Sequence, residues 1–184
     1  MSSAVNGTSN EVDTVQRSLS TGLPVWCLFY GVTCNGIRGS ATYASVTQIV
    51  LASLSLTGTI PSSIGSLTSL TSLYLDYNSL SGTIPSSIGS LKSLKDLSLE
   101  INSLIGSIPS SIGSLKSLQY LYLFRNSMNG TIPSSIGSLT SLQSLYLDTN
   151  SLSGSIPSSI GLLISLETLY LQSNQLANAT WYRA

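Results

Sequence analysis

The sequence predicts an α/β solenoid, a stack of short coils with a parallel sheet along one side. The segment IPSSIGSL starts at Ile60 and returns three more times at a spacing of 24 residues, and a fifth copy reads IPSSIGLL. Between the copies, a Leu-x-Leu triplet and an asparagine recur at the same spacing. A fixed period of this length is typical of repeat architectures, in which each coil packs on its neighbours.

Each coil is predicted to hold one short strand. In Leu97-Ser98-Leu99 the side chains alternate between inward and outward positions, and the same triplet recurs in every coil. Equivalent strands would therefore lie side by side as a parallel sheet. We expect the asparagine three residues after each strand to be buried and to hydrogen bond the turning backbone. These asparagines are Asn78, Asn102, Asn126, Asn150 and Asn174.

The rest of each coil is predicted to consist of turns. Gly82 and its equivalents permit backbone conformations that are closed to other residues. Pro85 lacks an N–H group, which suits a strand edge or the first residue of a helical turn. The Ser-Ser-Ile-Gly-Ser-Leu segment that follows is too short for an α-helix containing glycine, so a 3₁₀ turn is expected there.

The amino-acid composition argues against several classes of function. The chain has seven basic and seven acidic residues and no histidine. This balance gives no electrostatic case for nucleic acid or an anionic membrane. The commonest general base and metal ligand is absent, and with only two cysteines we expect no metal site and no cofactor. The apolar runs are far shorter than a bilayer span, so no membrane span is predicted in this chain.

The repeated pattern LxxLxLxxNxLSGxIPxxIGxL resembles the plant-type leucine-rich repeat. This repeat occurs in extracellular domains of plant receptor-like kinases and in polygalacturonase-inhibiting proteins. The resemblance implies a right-handed solenoid with its parallel sheet on the concave face and 3₁₀ turns on the convex face. A half coil at 46–59 and five coils at 60–179 carry it, and 180–184 form a C-terminal tail. In the half coil, Leu54 stands at the asparagine position.

Residues 1–45 resemble the N-terminal helical cap of the same family. The family's Cys-x-Trp-x-Gly-Val-x-Cys segment corresponds to the stretch from Cys27 to Cys34, with Phe29 in the tryptophan position. Upstream, apolar residues spaced along one face predict a short helix. The resemblance implies a disulfide between Cys27 and Cys34, and hence an oxidising compartment.

Other features agree with an extracellular or cell-surface location. Glycosylation sequons begin at Asn6, Asn129 and Asn178. The first twenty residues contain no apolar signal-peptide core, so we expect the leader to be missing from this chain. At the other end, Asn178 replaces the glycine of the coil, and only Trp181 and Tyr182 remain to cover the open edge. This ending favours a truncated chain.

Comparison of the coils with one another separates a constant half from a variable half. The IPSSIGSL half is nearly invariant, whereas outward positions around the strand change from coil to coil. Variation on one face suggests that this face, concave in the family, is the binding surface. The predicted ligand-binding residues are Tyr74, Asp76, Tyr77, Asp96, Glu100, Tyr120, Tyr122, Phe124, Arg125, Tyr146, Asp148 and Tyr170.

The aromatic and acidic residues of this face allow more than one interpretation. Tyrosine favours strands, and rings on neighbouring strands stack on each other, which would be a structural role. As a binding surface, the face suits a basic protein or peptide, with glycan as the second ligand class. Paired carboxylates also serve glycoside hydrolases. An open face cannot raise the pKa of an acid by burial, however, so no catalysis is expected.

The sequence therefore predicts a non-catalytic recognition module whose partner is a protein, a peptide or a glycan. A soluble inhibitor of cell-wall-degrading enzymes and a fragment of a receptor-like kinase ectodomain are two alternatives. A third is ice binding through regular hydroxyl ladders, because an ordered lattice needs a regular spacing. One such ladder comprises Thr59, Thr83, Ser107, Thr131 and Ser155.

Overall fold

The structure, a computed structural model, describes residues 31–35 and 45–177. Short strands and 3₁₀ segments alternate along these residues. In chain order the strands are β1 Val32–Asn35, β2 Ser45–Val50, β3 Thr57–Thr59, β4 Ser72–Tyr74, β5 Ser79–Ser81, β6 Asp96–Ser98, β7 Ile105–Gly106, β8 Tyr120–Tyr122, β9 Ser127–Met128, β10 Ser144–Tyr146, β11 Ser153–Gly154, β12 Thr168–Tyr170 and β13 Gln175–Leu176.

One sheet runs the length of the stack and confirms the predicted parallel arrangement. Its seven strands follow the order β1-β2-β4-β6-β8-β10-β12. All neighbours are parallel except β1 and β2. The register aligns equivalent positions, so that Leu97 pairs with Leu73 on one side and Leu121 on the other. Each strand begins one residue before the Leu-x-Leu triplet, and Leu99 follows β6 while still donating its N–H to the Tyr122 carbonyl oxygen at 2.9 Å.

The opposite side of the stack consists of 3₁₀ segments, as predicted. They span Ser62–Ser66, Ser86–Ser90, Ser110–Ser114, Ser134–Ser138 and Ser158–Leu162. Each follows a proline in the extended conformation, such as Pro85 with φ −67° and ψ 141°. The fixed φ of proline suits this position, where no N–H is needed.

Short parallel pairs also form in the half of the coil for which only turns were predicted. Strand β3 pairs with β5, β7 with β9 and β11 with β13. They arise because coils in register bring their backbones side by side, and local sequence carries no strong strand pattern for them. The glycine of this half has the positive φ that was expected, 72° at Gly82.

The asparagines bond each coil to the one before it. The side-chain oxygen of Asn102 accepts the Leu80 N–H at 2.9 Å, and its amide donates to the Leu75 and Leu99 carbonyl oxygens at 3.0 and 3.1 Å. The predicted hydrogen bonding is confirmed, although the asparagines are half-buried rather than fully buried. At the start of the array Asn78 accepts two N–H groups, from Leu54 at 3.1 Å and Leu56 at 2.9 Å.

The constant half of the coil is explained by packing between coils. The hydroxyl of Ser111 donates to the Ser86 carbonyl oxygen at 2.6 Å, and equivalent serines repeat this bond in other coils. A Cβ atom added at Gly89 would lie 2.5 Å from the Ser111 carbonyl oxygen. Serine and glycine are therefore required for close stacking, and the invariance of this half is a structural constraint. The contrast between this constant half and the variable positions around the strand is consequently weaker evidence for a binding surface than the sequence suggested.

At the N-terminal end, β1 pairs with β2 and covers that edge of the sheet. Cys34 lies opposite Val46 in this pair. Cys27, the predicted cap helix, Asn6 and Asn178 lie outside the described residues, so the cap, the disulfide and those two sequons stay predictions. Asn129 is exposed beside β9. No helix in the described ranges is long and apolar enough to cross a membrane.

Candidate binding face

The outward side chains of β4, β6, β8, β10 and β12, with the residues just after these strands, form a surface that we call the sheet face. In β8, Leu121 is buried while Tyr120 and Tyr122 are partly exposed on the opposite side. The predicted residues Tyr74, Asp96, Tyr120, Tyr122, Tyr146 and Tyr170 lie on the strands themselves. Those that follow a strand are Asp76, Tyr77, Glu100, Phe124, Arg125 and Asp148.

Five rings of the sheet face form one connected group, which we call the aromatic cluster. Its central ring, Tyr146, lies 4.9 Å from Tyr122, 6.1 Å from Phe124 and 4.6 Å from Tyr170, measured between centroids. Tyr120 joins through Tyr122 at 6.2 Å. The rings are tilted or edge-to-face, which are favourable geometries for aromatic pairs. The sheet register aligns one outward residue from each coil, and we call this row the tyrosine column: Tyr74, Ser98, Tyr122, Tyr146 and Tyr170. From Tyr122 to Tyr170 the rings form a continuous apolar surface.

Tyr74 lies apart from the aromatic cluster because the column is interrupted at Ser98. In the sheet register, Ser98 is the neighbour of Tyr74 on one side and of Tyr122 on the other. The missing ring leaves a depression of about 210 Å³, which we call the serine cleft. It is lined by Tyr74, Asp96, Leu97, Ser98, Tyr120 and Tyr122.

A second depression, of about 230 Å³, lies on the same face towards the C-terminal end. It is lined by Phe124, Tyr146, Asp148, Tyr170 and Gln172. Both depressions thus combine aromatic rings with one carboxylate, and they differ because only the serine cleft has a small residue in the tyrosine column.

Glu100 was predicted to bind ligand on the sheet face, but its side chain is buried. It is 8% exposed and Ser98 is 4% exposed, and the serine hydroxyl donates to Glu100 Oε2 at 2.6 Å. Burial raises the pKa of Glu100, and the neighbouring Asp76 carboxylate adds to this, although the Ser98 hydrogen bond opposes it. The expectation that an open face cannot raise the pKa of an acid by burial was therefore wrong. The small Ser98 side chain lets the glutamate fold down against the sheet.

A pH dependence of stability follows from Glu100. Its raised pKa means that the folded state binds the proton more tightly than the unfolded chain does, for which the value is about 4.3. Stability from this group is present below that value and is lost as pH rises through the folded pKa. We expect Glu100→Gln to be more stable than the parent chain near neutral pH and equal to it in acid. Thermal unfolding across this range, with exposed Glu167→Gln as the control, measures the difference. Equal pH profiles for the parent and Glu100→Gln would contradict it.

Two predicted residues occupy a special backbone conformation. Tyr77 and Arg125 have φ values of 54° and 51°, and the equivalent Ile101, Thr149 and Ser173 also have positive φ. They therefore lie in the left-handed turn that leaves the sheet, and Tyr77 is 53% exposed at the rim. Left-handed backbone is costly for residues other than glycine, which the sequence pattern did not reveal.

Polar partners that sequence reasoning missed orient several side chains of the sheet face. Ser72 donates its hydroxyl hydrogen to Asp96 Oδ2 at 2.8 Å, and the Tyr120 hydroxyl contacts Gln143 Oε1 at 2.8 Å. Both partners belong to the adjacent coil. Only the register between coils makes these pairs visible, because their members are 24 and 23 residues apart.

Known families and structures resemble this chain closely. Leucine-rich repeat family profiles match residues 68–128 and 141–163. The ectodomain of the receptor kinase SOBIR1 from Arabidopsis thaliana is 34% identical, with a TM-score of 0.75, over 91% of this chain and 95% of that one. The chain belongs to the plant-type leucine-rich repeat family. A search among curated proteins found no match.

Other leucine-rich repeat structures resemble parts of the array. The plant peptide hormone receptor RGFR1, solved in complex with RGF2, is 43% identical over 66% of this chain, with a TM-score of 0.65. This chain spans 19% of that receptor chain and similarly small shares of two other large receptors. A plant ice-binding protein is 30% identical, with a TM-score of 0.73, over 91% of this chain and 56% of its own.

Family membership identifies the chain as a leucine-rich repeat protein, and the similar structures include ectodomains of plant receptor kinases. Within the described residues, no group of acidic or cysteine side chains is arranged to hold a metal ion.

Proposed function

We propose that this leucine-rich repeat module recognises a protein or peptide ligand through its sheet face, without catalysis. The aromatic cluster carries the proposal, because its rings contact one another across β8, β10 and β12 and remain partly exposed. Rigid aromatic side chains provide large contact area at low entropic cost and are enriched in binding hot spots. The similar receptor RGFR1 was solved with RGF2 bound, which supports a peptide ligand.

The charge of the face favours a ligand with basic groups. Asp76, Asp96 and Asp148 lie beside the rings, and carboxylates at the edge of an aromatic surface set the register of a basic partner. Glycan remains the second ligand class. An inhibitor of cell-wall-degrading enzymes or part of a receptor ectodomain would each use the same face.

An extracellular or cell-surface location is part of this proposal. The similarity to plant receptor ectodomains supports it, as do the sequon at exposed Asn129 and the predicted pairing of Cys27 with Cys34. The disulfide would link the N-terminal segment to β1, which forms the edge of the sheet. Peptide mapping of the protein, secreted with a leader added, would detect both modifications.

The binding proposal is tested by selection from a library of random linear peptides displayed against the immobilised chain. We expect enriched peptides to lose at least about 30-fold in affinity for the Tyr122→Ala/Tyr146→Ala double variant, because truncated hot-spot rings cost about 2 kcal/mol or more. Ile164→Ala is the control, since Ile164 is a large apolar residue that is 86% exposed and lies outside the sheet face. Equal binding to the double variant would remove the sheet face as the binding site.

Ice binding is a second candidate, supported by the exposed hydroxyl ladder and by the similar plant ice-binding protein. All five ladder positions named above are exposed and recur in register. Thermal hysteresis in a purified sample, reduced by Thr131→Lys, would favour this candidate. A sample without hysteresis would eliminate it.

A further inference from the structure

The serine cleft has the width of one flat group. Tyr74 and Tyr122 flank Ser98 in the sheet register, so the strands that carry the two rings are two spacings apart, about 9.6 Å. A planar group inserted midway would lie about 4.8 Å from the strand position of each ring, within the distance at which cations interact with aromatic faces.

The polar groups at the cleft are arranged to accept hydrogen bonds. Ser98 lines the cleft and gives its hydroxyl hydrogen to Glu100 Oε2 at 2.6 Å, so its oxygen can only accept a hydrogen bond from a ligand. Asp96 uses Oδ2 for Ser72 at 2.8 Å, and its other carboxylate oxygen remains for a ligand. A group that only donates hydrogen bonds is therefore the complement of this cleft.

Carboxylates act on the tyrosines that line the cleft. Burial is the largest cause of the raised pKa of Tyr74, and the Asp96 and Asp76 carboxylates raise it further. Burial likewise raises the pKa of Tyr122, with a smaller contribution from Glu100. No lysine or arginine is among the causes of these shifts or of the raised pKa of Glu100. A cation entering the cleft would meet the Asp96 carboxylate that lines it.

We propose that the serine cleft is a subsite for one arginine side chain of the peptide or protein ligand. The inference rests on the proposed function of the sheet face and adds the chemistry of one ligand residue. The cleft volume of about 210 Å³ is below the range of about 300–1,000 Å³ that is typical of whole small-molecule ligands, so it fits a single side chain. A guanidinium is planar, stacks on aromatic rings and offers several donors to Asp96 and Ser98, whereas an ammonium is compact and does not fill a flat slot.

The test uses N-acetyl-arginine-N-methylamide as the probe and the full chain with labelled tyrosine rings. NMR titration should shift the ring signals of Tyr74 and Tyr122. The citrulline analogue, which has the same shape without the charge, should leave them unchanged. Asp96→Asn should weaken binding by about tenfold, since a charge-assisted hydrogen bond becomes a neutral one. Glu167→Gln, which neutralises an exposed acid outside the predicted binding residues, is the control and should bind as the parent chain does.

Ser98→Tyr is a second variant, because it restores the ring that every other coil of the column has and fills the cleft. It should abolish arginine binding, with near-ultraviolet circular dichroism confirming that it is folded. The inference is overturned if the citrulline analogue binds equally, if Asp96→Asn binds like the parent, or if no tyrosine signal shifts. Library peptides that bind the sheet face without needing arginine would overturn this inference alone and leave the proposed function standing.

Discussion

Asn126→Ala is expected to lower the stability of the whole array by about 3 kcal/mol, which corresponds to a fall of roughly 6–12 °C in Tm for a chain of this size. Asn126 Oδ1 accepts the Leu104 N–H at 2.9 Å, and its amide donates to the Leu99 and Leu123 carbonyl oxygens at 3.0 and 3.2 Å. Alanine leaves the N–H of the buried Leu104 without its partner. The Leu99 and Leu123 carbonyl oxygens each lose one donor but still accept from Asn102 at 3.1 Å and Asn150 at 3.0 Å. The unsatisfied N–H costs about 1–3 kcal/mol, and each bond lost from an oxygen that keeps another donor costs about 0.5–1.5 kcal/mol.

Asn129→Ala provides the control for this measurement. Asn129 lies in the same coil, is exposed, and uses only its backbone N–H, which donates to the Gly106 carbonyl oxygen at 2.9 Å. Its replacement should change stability by less than about 0.5 kcal/mol. Thermal unfolding followed by circular dichroism measures both variants. A similar Tm for the two variants would mean that the side-chain hydrogen bonds of Asn126 contribute no more to stability than the exposed side chain of Asn129.

Gly113→Ala is expected to destabilise the array to a similar extent, about 3 kcal/mol, by forcing two coils apart. The added Cβ would meet the Ser135 carbonyl oxygen at a separation too short for any contact, and would lie 2.8 Å from the Ser135 Cβ. The obstacle is backbone, which cannot move without breaking the Ser135 hydroxyl bond to the Ser110 carbonyl oxygen at 2.7 Å. Overpacking of this kind typically costs about 1–3 kcal/mol, and this contact is at the upper end.

The chain contains its own control for the glycine prediction. Gly161 occupies the same repeat position in the fifth coil, and a Cβ built there meets no atom within 4 Å. Gly161→Ala should therefore be neutral or stabilise by about 0.4–1 kcal/mol, because alanine restricts the unfolded chain. Denaturant titration of both variants distinguishes them. Equal destabilisation would show that glycine is needed for the conformation of the 3₁₀ turn rather than for packing between coils.

The candidate site was only partly predictable. The outward tyrosines were found because period-2 alternation around Leu121 assigns Tyr120 and Tyr122 to one face, and the structure brings their rings together. The burial of Glu100 was not found. It depends on the size of Ser98 and on neighbouring coils, and neither effect is local to the glutamate. The left-handed φ of Tyr77 was also missed, since no residue preference marks that position.

By itself the sequence determined the solenoid, the coil length, the inward leucines and the row of asparagines that follow the strands. Each of these follows from a period that repeats along the chain, because equivalent residues make equivalent contacts with the neighbouring coils. Only the tertiary structure decided which outward side chains contact one another and which remain exposed to a ligand. The ring contacts around Tyr146, the cleft at Ser98 and the packing of Gly113 depend on distances between coils, and residues 22–27 positions apart become neighbours only when the coils stack.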